Sequence, residues 1–326
     1  MNAQTPQLTI VFVMDPVESI DIQGDTTFVL MLEAQRRGHR VLYCDPGDLA
    51  VGDEGVVANV SPVTLRREEG RHADLGPSVS MVFDAEVDLV LQRKDPPVDS
   101  AYVTATQILT LCQRALVLNR PAGILASNEK LYALNFPDLM PPTQVTKSIG
   151  RLLAFLDKLG GEMIVKPLDG RGGEGIFHVH REDKNLNSIL EQSTRFETNP
   201  VMAQAYLPAV RTGDKRILLV DGEPLGAVLR VPAQGETRAN FHVGGSAALA
   251  ELDDDDRRIL DRIRPWLQRD GLFFVGIDVI GGKLTEINVT SPTGVQEVNA
   301  LENRRLESKI VDALEAKVAE HRTASS

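Results

Sequence analysis

The sequence has few cysteines and no apolar run long enough to cross a bilayer. Only two of its 326 residues are cysteines, Cys44 and Cys112, which argues against a disulfide framework or a cysteine-rich metal site. The N-terminus, MNAQTPQ, lacks the basic segment and apolar core of a secretory signal, so we expect a cytoplasmic protein without membrane contact. A formal net charge of -11 argues against a nucleic-acid surface but permits local basic clusters that bind small anions.

The order of apolar and polar segments predicts a parallel α/β region at the N-terminus. The apolar run from Leu8 to Met14 is typical of a buried strand. A helix is predicted to begin at Asp25 and end at Gly38, and a second strand follows from Arg40 to Cys44. A strand, a helix and another strand in succession indicate a parallel pair joined by a crossover helix. The segment 45–83 shows no clear pattern.

Charged residues directly follow two of the predicted strands. Asp15 comes after the first strand, and Arg93, Lys94 and Asp95 follow a strand from Val87 to Leu91. Ligands of open α/β sheets bind at the carboxyl ends of the strands. We therefore expect these four residues to bind an acidic small molecule, although solvated loop charges would leave the same pattern.

A glycine-dense loop separates two further predicted strands, from Glu162 to Lys166 and from Ile176 to His180. The backbone N–H groups of such a loop can contact phosphate oxygens, and Lys166 places an ammonium group beside them. The loop lacks the Gly-Lys-Ser/Thr ending of a Walker loop and the following helix of a dinucleotide-binding loop. We predict that it covers a polyphosphate; the alternative is a simple hairpin turn.

A β-hairpin is predicted near the C-terminus, with two strands joined by the turn Gly281-Gly282. Glu286 and Asn288 are two residues apart and therefore share one face of the second strand, with Asp278 on the opposing strand. Such oxygen ligands suit a hard cation such as Mg²⁺, which adds water and phosphate oxygens to its octahedron. The alternative is an acidic face that contacts only solvent. The apolar residues of the second strand do not alternate regularly: Leu284, Ile287 and Val289.

The stretch from Pro232 to Gly245 is polar, bounded by glycines and without hydrophobic periodicity. These features predict a mobile lid that carries Arg238 and is preceded by Arg230. His242, in the same stretch, is interpreted as a solvated loop histidine. After the hairpin, one amphipathic helix is predicted from Glu297 to Ala319.

Ordered sequence blocks carry a resemblance to a known family. Lys130, Lys166 with its glycine loop, Arg216 and the three predicted metal ligands follow the order found in ATP-grasp carboxylate–amine ligases. Longer blocks resemble bacterial glutathione synthetases: Met14–Pro16, Leu32–Gly38, Arg93–Pro97, Asn128–Leu131, Lys166–Gly170, Gly213–Arg216, Gly235–Arg238 and Thr285–Thr293. The blocks span residues 14–293, so the resemblance covers nearly the whole chain. Gly294 and Gln296 depart from the pattern of enterobacterial members.

The resemblance implies an α/β (α+β) protein of three parts. Residues 1–122 would form an N-terminal parallel α/β domain, and residues 123–200 a central lid domain. Residues 201–326 would form a C-terminal domain with the metal site and the mobile loop. The last two parts would make a two-part ATP-grasp fold with a largely antiparallel sheet. Members of the family are often homotetramers, so we expect a homo-oligomer.

The resemblance also implies roles for individual residues. Mg²⁺ or Mn²⁺ would be held by Asp278, Glu286 and Asn288. The residues acting in catalysis would be Arg216, Arg230 and Arg238. The residues in contact with substrate would be Asp15, Arg93, Lys94, Asp95, Ser291 and Thr293. ATP would contact Lys130, Lys166, Asp169, Gly170, Arg171, Gly172, Gly173, Gly175, Gln204, Tyr206 and Leu207.

The implied reaction joins γ-glutamylcysteine and glycine through an acyl phosphate and releases glutathione, ADP and phosphate. The partners would be small molecules only. One alternative is another ATP-grasp ligase with a different acid and amine. A second alternative is a catalytically silent nucleotide-binding regulator, but nucleotide binding alone would not require the three metal ligands.

Overall fold

The computed structural model describes residues 6–170, 172–233, 235, 238–239 and 244–324. Within them the chain forms three sheets that follow one another along the sequence, with helices packed against them. Arg171 and much of the predicted lid, including His242, lie outside the described residues. None of the described helices combines the length and apolar content that a bilayer crossing requires.

The first sheet is mixed and occupies the N-terminal part of the chain. Its strands are β1 Thr9–Val13, β2 Arg40–Cys44, β3 Leu49–Gly52, β4 Gly55–Leu65, β5 Ala73–Leu75, β6 Val79–Val82, β7 Leu89–Gln92 and β8 Leu116–Leu118. The helices of this part are α1 Thr26–Arg36, α2 Phe83–Glu86, α3 Ser100–Leu109 and α4 Pro121–Ala126. The strands β2, β1, β7 and β8 pair in parallel, which confirms the predicted parallel α/β domain. The unassigned segment 45–83 supplies β3 to β6, which add antiparallel pairs through β4.

The first crossover helix, α1, begins as predicted. The Asp25 side chain accepts a hydrogen bond from the backbone N–H of Phe28 at 2.6 Å, so Asp25 is the N-cap. Most residues of α1 are buried, and Phe28 and Met31 are fully buried. Burial of one such side chain contributes roughly 1.5–3 kcal/mol to the free energy of unfolding. Tertiary packing rather than helix propensity therefore stabilises this helix.

The second sheet is antiparallel and has its own core. Its strands are β9 Thr143–Thr146, β10 Glu162–Pro167, β11 Phe177–His180 and β12 Val201–Ala205, and its helices are α5 Ile149–Lys158 and α6 Leu186–Ser193. The strand order is β11-β10-β12-β9. The predicted boundary at residue 200 falls just before β12, yet β12 pairs with β10 and β9. The second sheet therefore extends to Ala205.

The third sheet is antiparallel and carries the predicted hairpin. Its strands are β13 Asp214–Val220, β14 Glu223–Val231, β15 Ser246–Leu249, β16 Phe274–Ile280 and β17 Lys283–Asn288, in the order β15-β14-β13-β16-β17. The helices of this part are α7 Asp254–Asp270, α8 Val295–Glu302 and α9 Leu306–Ala324. The prediction of one helix from Glu297 to Ala319 is wrong. Asn303 adopts a left-handed conformation, with φ of 50°, and ends α8 before α9 begins.

The N-terminal and C-terminal parts share one hydrophobic core. Residues of β1 and α1 pack with residues of β13, α8 and α9 in a single cluster. Polar contacts reinforce this junction, since Arg37 pairs with Asp312 and His39 with Glu315. A second cluster joins the segment 132–140 to the third sheet rather than to the central sheet.

Candidate active site

The hairpin of β16 and β17 presents the predicted oxygen ligands on one face. Asp278 lies directly opposite Glu286, and Gly276 lies opposite Asn288. Directly paired residues project to the same side of a sheet, so the two carboxylates and the amide meet there. Like charges opposite each other are destabilising. This face therefore requires positive charge close by.

A β-bulge at Thr285 explains the irregular alternation of β17. Val279 pairs with Leu284, which leaves Thr285 as an extra residue before the pairing resumes at Glu286. Such an insertion shifts all following side chains by one position. Leu284 and Ile287 thus both enter the apolar core, where they are fully buried. Glu286 is left facing the cleft.

Two arginines supply positive charge beside Asp278. Arg216 pairs with Asp278 across β13 and β16, and its Nε and Nη2 donate to the two carboxylate oxygens at 2.5 and 3.1 Å. Arg230 Nη2 lies 3.0 Å from Asp278 Oδ2 and 2.5 Å from Asp214 Oδ2. Burial alone would raise the pKa of Asp278, but the charges of Arg216 and Arg230 outweigh it and hold the pKa well below its usual range. Asp278 is therefore an anion.

Two buried lysines reach the same face from the other side of the cleft. Lys130 Nζ donates to Glu286 Oε1 at 3.1 Å and to the Gly170 carbonyl at 2.8 Å. Lys166 Nζ lies 3.4 Å from the Thr285 carbonyl. Burial lowers the pKa of Lys166. At Lys130 burial acts in the same direction, but the Glu286 carboxylate outweighs it and raises the pKa. An anion such as a phosphate would stabilise the charged form of Lys166.

The glycine-dense loop joins β10 and β11, which are antiparallel as predicted. Gly170, Gly172 and Gly173 line the cleft at its charged end. A Cβ atom at Gly170 would lie 2.7 Å from a carbon of the Pro167 ring, so a larger residue would force a shift. Of the other predicted loop residues, Asp169 lines a neighbouring cavity and Arg171 lies outside the described residues.

The cleft has an apolar end as well as a charged end. The residues that line its apolar end are Ile164, Tyr206, Leu207, Val210 and Ile280. Gln204 lines it too and donates to Thr143 Oγ1 at 3.0 Å. An apolar slot that leads to a cluster of cations fits a nucleotide, with the base at one end and the phosphates at the other.

The turn that follows β17 is fixed by two charged side chains, Glu129 and Arg216. Glu129 Oε1 accepts hydrogen bonds from the backbone N–H groups of Val289 and Thr290 at 2.9 and 3.1 Å, and from the Thr290 hydroxyl at 2.8 Å. Arg216 Nη1 donates to the Thr293 carbonyl at 3.2 Å. The turn residues Thr290 and Thr293, with Ser291 between them, line the cleft. The site therefore has a rigid wall next to the hairpin face.

Arg93 also contacts the turn that follows β17. Its Nη2 donates to the Pro292 carbonyl at 2.9 Å, and its Nε donates to Thr27 Oγ1 at 3.0 Å. Its guanidinium carbon lies 5.4 Å from the centre of the Phe274 ring, and only 5% of the residue is exposed. The predicted direct contact of Arg93 with substrate stays a prediction. In the structure Arg93 supports the wall of the cleft.

The other predicted substrate residues of the N-terminal domain form a small polar group. Lys94 Nζ lies 2.6 Å from Asp15 Oδ1, and the backbone N–H of Asp95 donates to Asp15 Oδ2 at 3.0 Å. Asp95 lines the cleft. Lys94 and Asp15 pair with each other at its margin, so Asp95 is the member of the group that the structure brings into the site.

Arg238 and Ala239 are described residues of the predicted lid that reach the site. Arg238 lines the cleft, and its Nη1 donates to the Gly173 carbonyl at 3.1 Å. Arg238 thus connects the stretch after β14 with the glycine-dense loop. The flanking residues 236–237 and 240–243 lie outside the described part of the chain.

Three polar residues in or beside the site were not assigned roles from the sequence: Glu129, Asp214 and Asn119. Burial raises the pKa of Asp214 to about 6 against the opposing charge of Arg230. Asn119 Nδ2 donates to the Phe274 and Val289 carbonyls, at 2.9 and 2.7 Å, and so ties the N-terminal domain to the hairpin. One sequence feature could have identified such residues: a polar residue at the edge of an apolar run, such as Asp214 at the start of β13.

Comparisons with known proteins agree with this geometry. The chain matches the family model described as "Prokaryotic glutathione synthetase, N-terminal domain" over residues 8–124. It matches the model described as "Prokaryotic glutathione synthetase, ATP-grasp domain" over residues 129–303. The two matches together cover most of the chain and divide it close to the predicted end of the first domain.

Individual relatives support the same family, and a solved structure supports the fold. The chain is 46% identical to a glutathione synthetase of Mesorhizobium japonicum over 95% of this chain and 99% of that protein. It is 46% identical to a glutathione synthetase of Gloeobacter violaceus, over 94% of this chain and 96% of that protein. A crystal structure of D-cycloserine synthetase DcsG shares the fold, with a TM-score of 0.67, 15% identity, and coverage of 95% of this chain and 99% of that one. This chain therefore belongs to the prokaryotic glutathione synthetase family.

Proposed function

We propose that this protein, an ATP-dependent ligase by its family, joins γ-glutamylcysteine to glycine and releases glutathione, ADP and phosphate. One observation carries the proposal for this chain. The hairpin face of Asp278, Glu286 and Asn288 lies between arginines and lysines at the charged end of a cleft whose other end is apolar. This arrangement suits transfer of a phosphoryl group from a bound nucleotide.

The nucleotide would lie along the cleft. Its base would occupy the apolar end beside Tyr206 and Leu207, and its phosphates would meet Lys130, Lys166 and the loop at Gly170. The two lysines already face the hairpin, so they need no large rearrangement to contact phosphate oxygens. Fixed cations of this kind stabilise the charge that develops on a transferring phosphoryl group.

The hairpin face fits a divalent metal ion, for which we propose Mg²⁺ or Mn²⁺. Asp278 and Glu286 offer carboxylate oxygens. Asn288 Nδ2 donates to the Gly276 carbonyl at 3.3 Å, which leaves its amide oxygen available as a ligand. Oxygen ligands of this type are those that hard cations prefer. A bound ion would offset negative charge on the phosphates during transfer.

In the first chemical step the cysteinyl carboxylate of γ-glutamylcysteine attacks the γ-phosphorus of ATP. A phosphorus–oxygen bond forms, ADP leaves, and the product is an acyl phosphate. Lys130 and Lys166 would offset the negative charge that shifts toward the leaving ADP. A carboxylate is a poor acyl donor, so this activation makes the later attack by an amine feasible.

In the second step the glycine amine attacks the acyl carbon, and phosphate leaves with the former carboxylate oxygen. The tetrahedral intermediate carries an oxyanion, for which we propose Arg216 as the stabilising group. Arg216 lines the cleft, and its hydrogen bonds to Asp278 and to the Thr293 carbonyl fix its orientation. A donor that is already oriented does not have to reorganise as the charge forms.

We also propose that the protein works in the cytoplasm as a homotetramer. The support is the resemblance to bacterial glutathione synthetases and the chemistry of the proposed substrates, which are small metabolites. Size-exclusion chromatography with light scattering tests the assembly.

An amine panel tests the substrate assignment against the alternative ATP-grasp ligase. The protein is incubated with ATP, Mg²⁺ and γ-glutamylcysteine together with glycine, alanine, serine or a diamine, and ADP and condensed products are measured by mass. We expect glycine to give the highest rate and a product of the mass of glutathione. A faster reaction with another amine, or no condensation with glycine, would overturn the proposal.

Replacing Glu129 with Ala is expected to raise the KM for glycine by about tenfold or more, because several hydrogen bonds to a charged group are lost at the turn. Glu129→Gln retains an acceptor oxygen and should keep the KM near that of the parent. The two KM values for glycine and for ATP are measured side by side. A merely structural role would instead change both constants together, or leave the Gln variant as impaired as the Ala variant.

Replacing Arg238 with Ala is expected to lower the yield of glutathione per ADP. Arg238 connects the stretch after β14 to the glycine-dense loop, and its loss would let water reach the acyl phosphate. The measurement is the ratio of glutathione to ADP, with Arg258→Ala on the surface of α7 as the control. An unchanged ratio in Arg238→Ala would place the water barrier elsewhere.

A further inference from the structure

The cleft has a cluster of potential metal ligands at its outer margin, apart from the hairpin face. In the pairing of β10 with β11, Glu162 lies opposite His180 and Ile164 lies opposite His178. The two histidines are two residues apart, so they project from the same face as Glu162 and Ile164. Ile164 lines the nucleotide cleft, so the three polar side chains lie on the face of this sheet that borders the cleft.

The three side chains already hold their ligand atoms together. Glu162 Oε1 lies 2.8 Å from His178 Nε2 and 3.9 Å from His180 Nε2, and all three ligand atoms lie within 4.8 Å of one another. Zinc bonds of about 2.0–2.2 Å in a tetrahedron separate neighbouring ligand atoms by about 3.3–3.5 Å. Small side-chain rotations therefore suffice to bind an ion, without movement of the backbone.

The ligand types differ from those of the hairpin face. Two imidazoles and one carboxylate favour borderline ions such as Zn²⁺, whereas carboxylates and an amide favour Mg²⁺. About half of the His180 side chain is exposed, so water can enter and complete the coordination. We infer that Glu162, His178 and His180 form a second cation site, which binds Zn²⁺ or a similar divalent ion at the nucleotide end of the cleft.

This site is connected to the nucleotide end through one aromatic contact. The His178 ring stacks on Tyr206 with a centroid distance of 4.0 Å and an angle of 19°. Tyr206 lines the apolar end of the cleft. A bound ion fixes the His178 ring, and the ring in turn restrains Tyr206. Zn²⁺ binding is therefore expected to raise the unfolding temperature of the nucleotide-free protein.

Zinc titration of the full untagged chain tests the site. The titration is performed without nucleotide and with excess Mg²⁺, which saturates the oxygen ligands of the hairpin. We expect one tight Zn²⁺ per chain and, when Co²⁺ replaces Zn²⁺, the visible absorption of a four-coordinate complex. His180→Ala should weaken Zn²⁺ binding by at least about tenfold and abolish the Co²⁺ band. His180 is exposed, so this variant should fold normally, which the unfolding temperature without metal checks.

The matched control is His321→Ala, which removes a histidine that contacts the Arg114 carbonyl far along the chain. It should bind Zn²⁺ as the parent does. Glu162→Gln provides a second variant, and it should also weaken binding. The inference is overturned if the parent binds no Zn²⁺ under these conditions, or if His180→Ala binds it as tightly as the parent. The second outcome would mean that the contact of Glu162 with His178 is only a structural hydrogen bond.

Discussion

Replacing Glu286 with Gln is expected to lower kcat by roughly 10²–10³, the size typical of losing one electrostatic group in an active site. Glu286 shares the hairpin face with Asp278 and is the ionic partner of Lys130 at 3.1 Å. The amide has nearly the same shape, so the fold should persist while the face loses one negative charge. A metal ion would bind more weakly, and Lys130 would lose the partner that holds it beside the phosphates.

The decisive measurement for Glu286→Gln is kcat as a function of Mg²⁺ concentration. We expect a higher Mg²⁺ requirement and a lower plateau, with unchanged circular dichroism. Glu302→Gln serves as the control, because Glu302 pairs with Arg304 outside the cleft. Near-normal activity of Glu286→Gln at low Mg²⁺ would exclude Glu286 as a metal ligand.

Replacing Arg216 with Lys is expected to reduce kcat by roughly 10²–10³ although the charge is conserved. Arg216 contacts both oxygens of Asp278 and the Thr293 carbonyl with three different nitrogens. One ammonium group cannot make this set of contacts at once. The variant would therefore leave the oxyanion without an oriented donor and the turn at Thr293 less firmly held.

Lys215→Arg provides the matched control for Arg216→Lys. Lys215 is the neighbouring residue of β13, but it faces the other side of the sheet and pairs with Asp253 and Asp256. Its substitution should leave kcat unchanged. The comparison is made by pre-steady-state measurement of ADP and glutathione formation. Equal rates in Arg216→Lys and the parent would show that positive charge alone, without the guanidinium geometry, is sufficient.

The hairpin and the shared face of its polar residues could be predicted because they depend on local patterns. The Gly281-Gly282 turn and the two-residue spacing of Glu286 and Asn288 fix the shared face without knowledge of the rest of the chain. The bulge at Thr285 could not be predicted. It depends on the register with β16, which reveals itself in the sequence only as an irregular alternation of apolar residues.

The packing partners of Arg93 could not be predicted from the sequence. Arg93 packs against Phe274 and donates to the Pro292 carbonyl, and both residues are far along the chain. Long-range packing of this kind has no local signature. The same holds for the segment 45–83, whose short antiparallel strands are defined by β4. The helix break at Asn303 did have a signal, since Asn is common at helix ends.

Oxygen labelling tests most directly whether this site makes glutathione through an acyl phosphate. γ-Glutamylcysteine with ¹⁸O at both oxygens of its cysteinyl carboxylate is incubated with ATP, Mg²⁺ and glycine, and the products are analysed by mass spectrometry. We expect each glutathione formed to be accompanied by one phosphate that carries one ¹⁸O. We expect the ADP to be unlabelled. Label recovered in AMP, or unlabelled phosphate alongside glutathione, would contradict it.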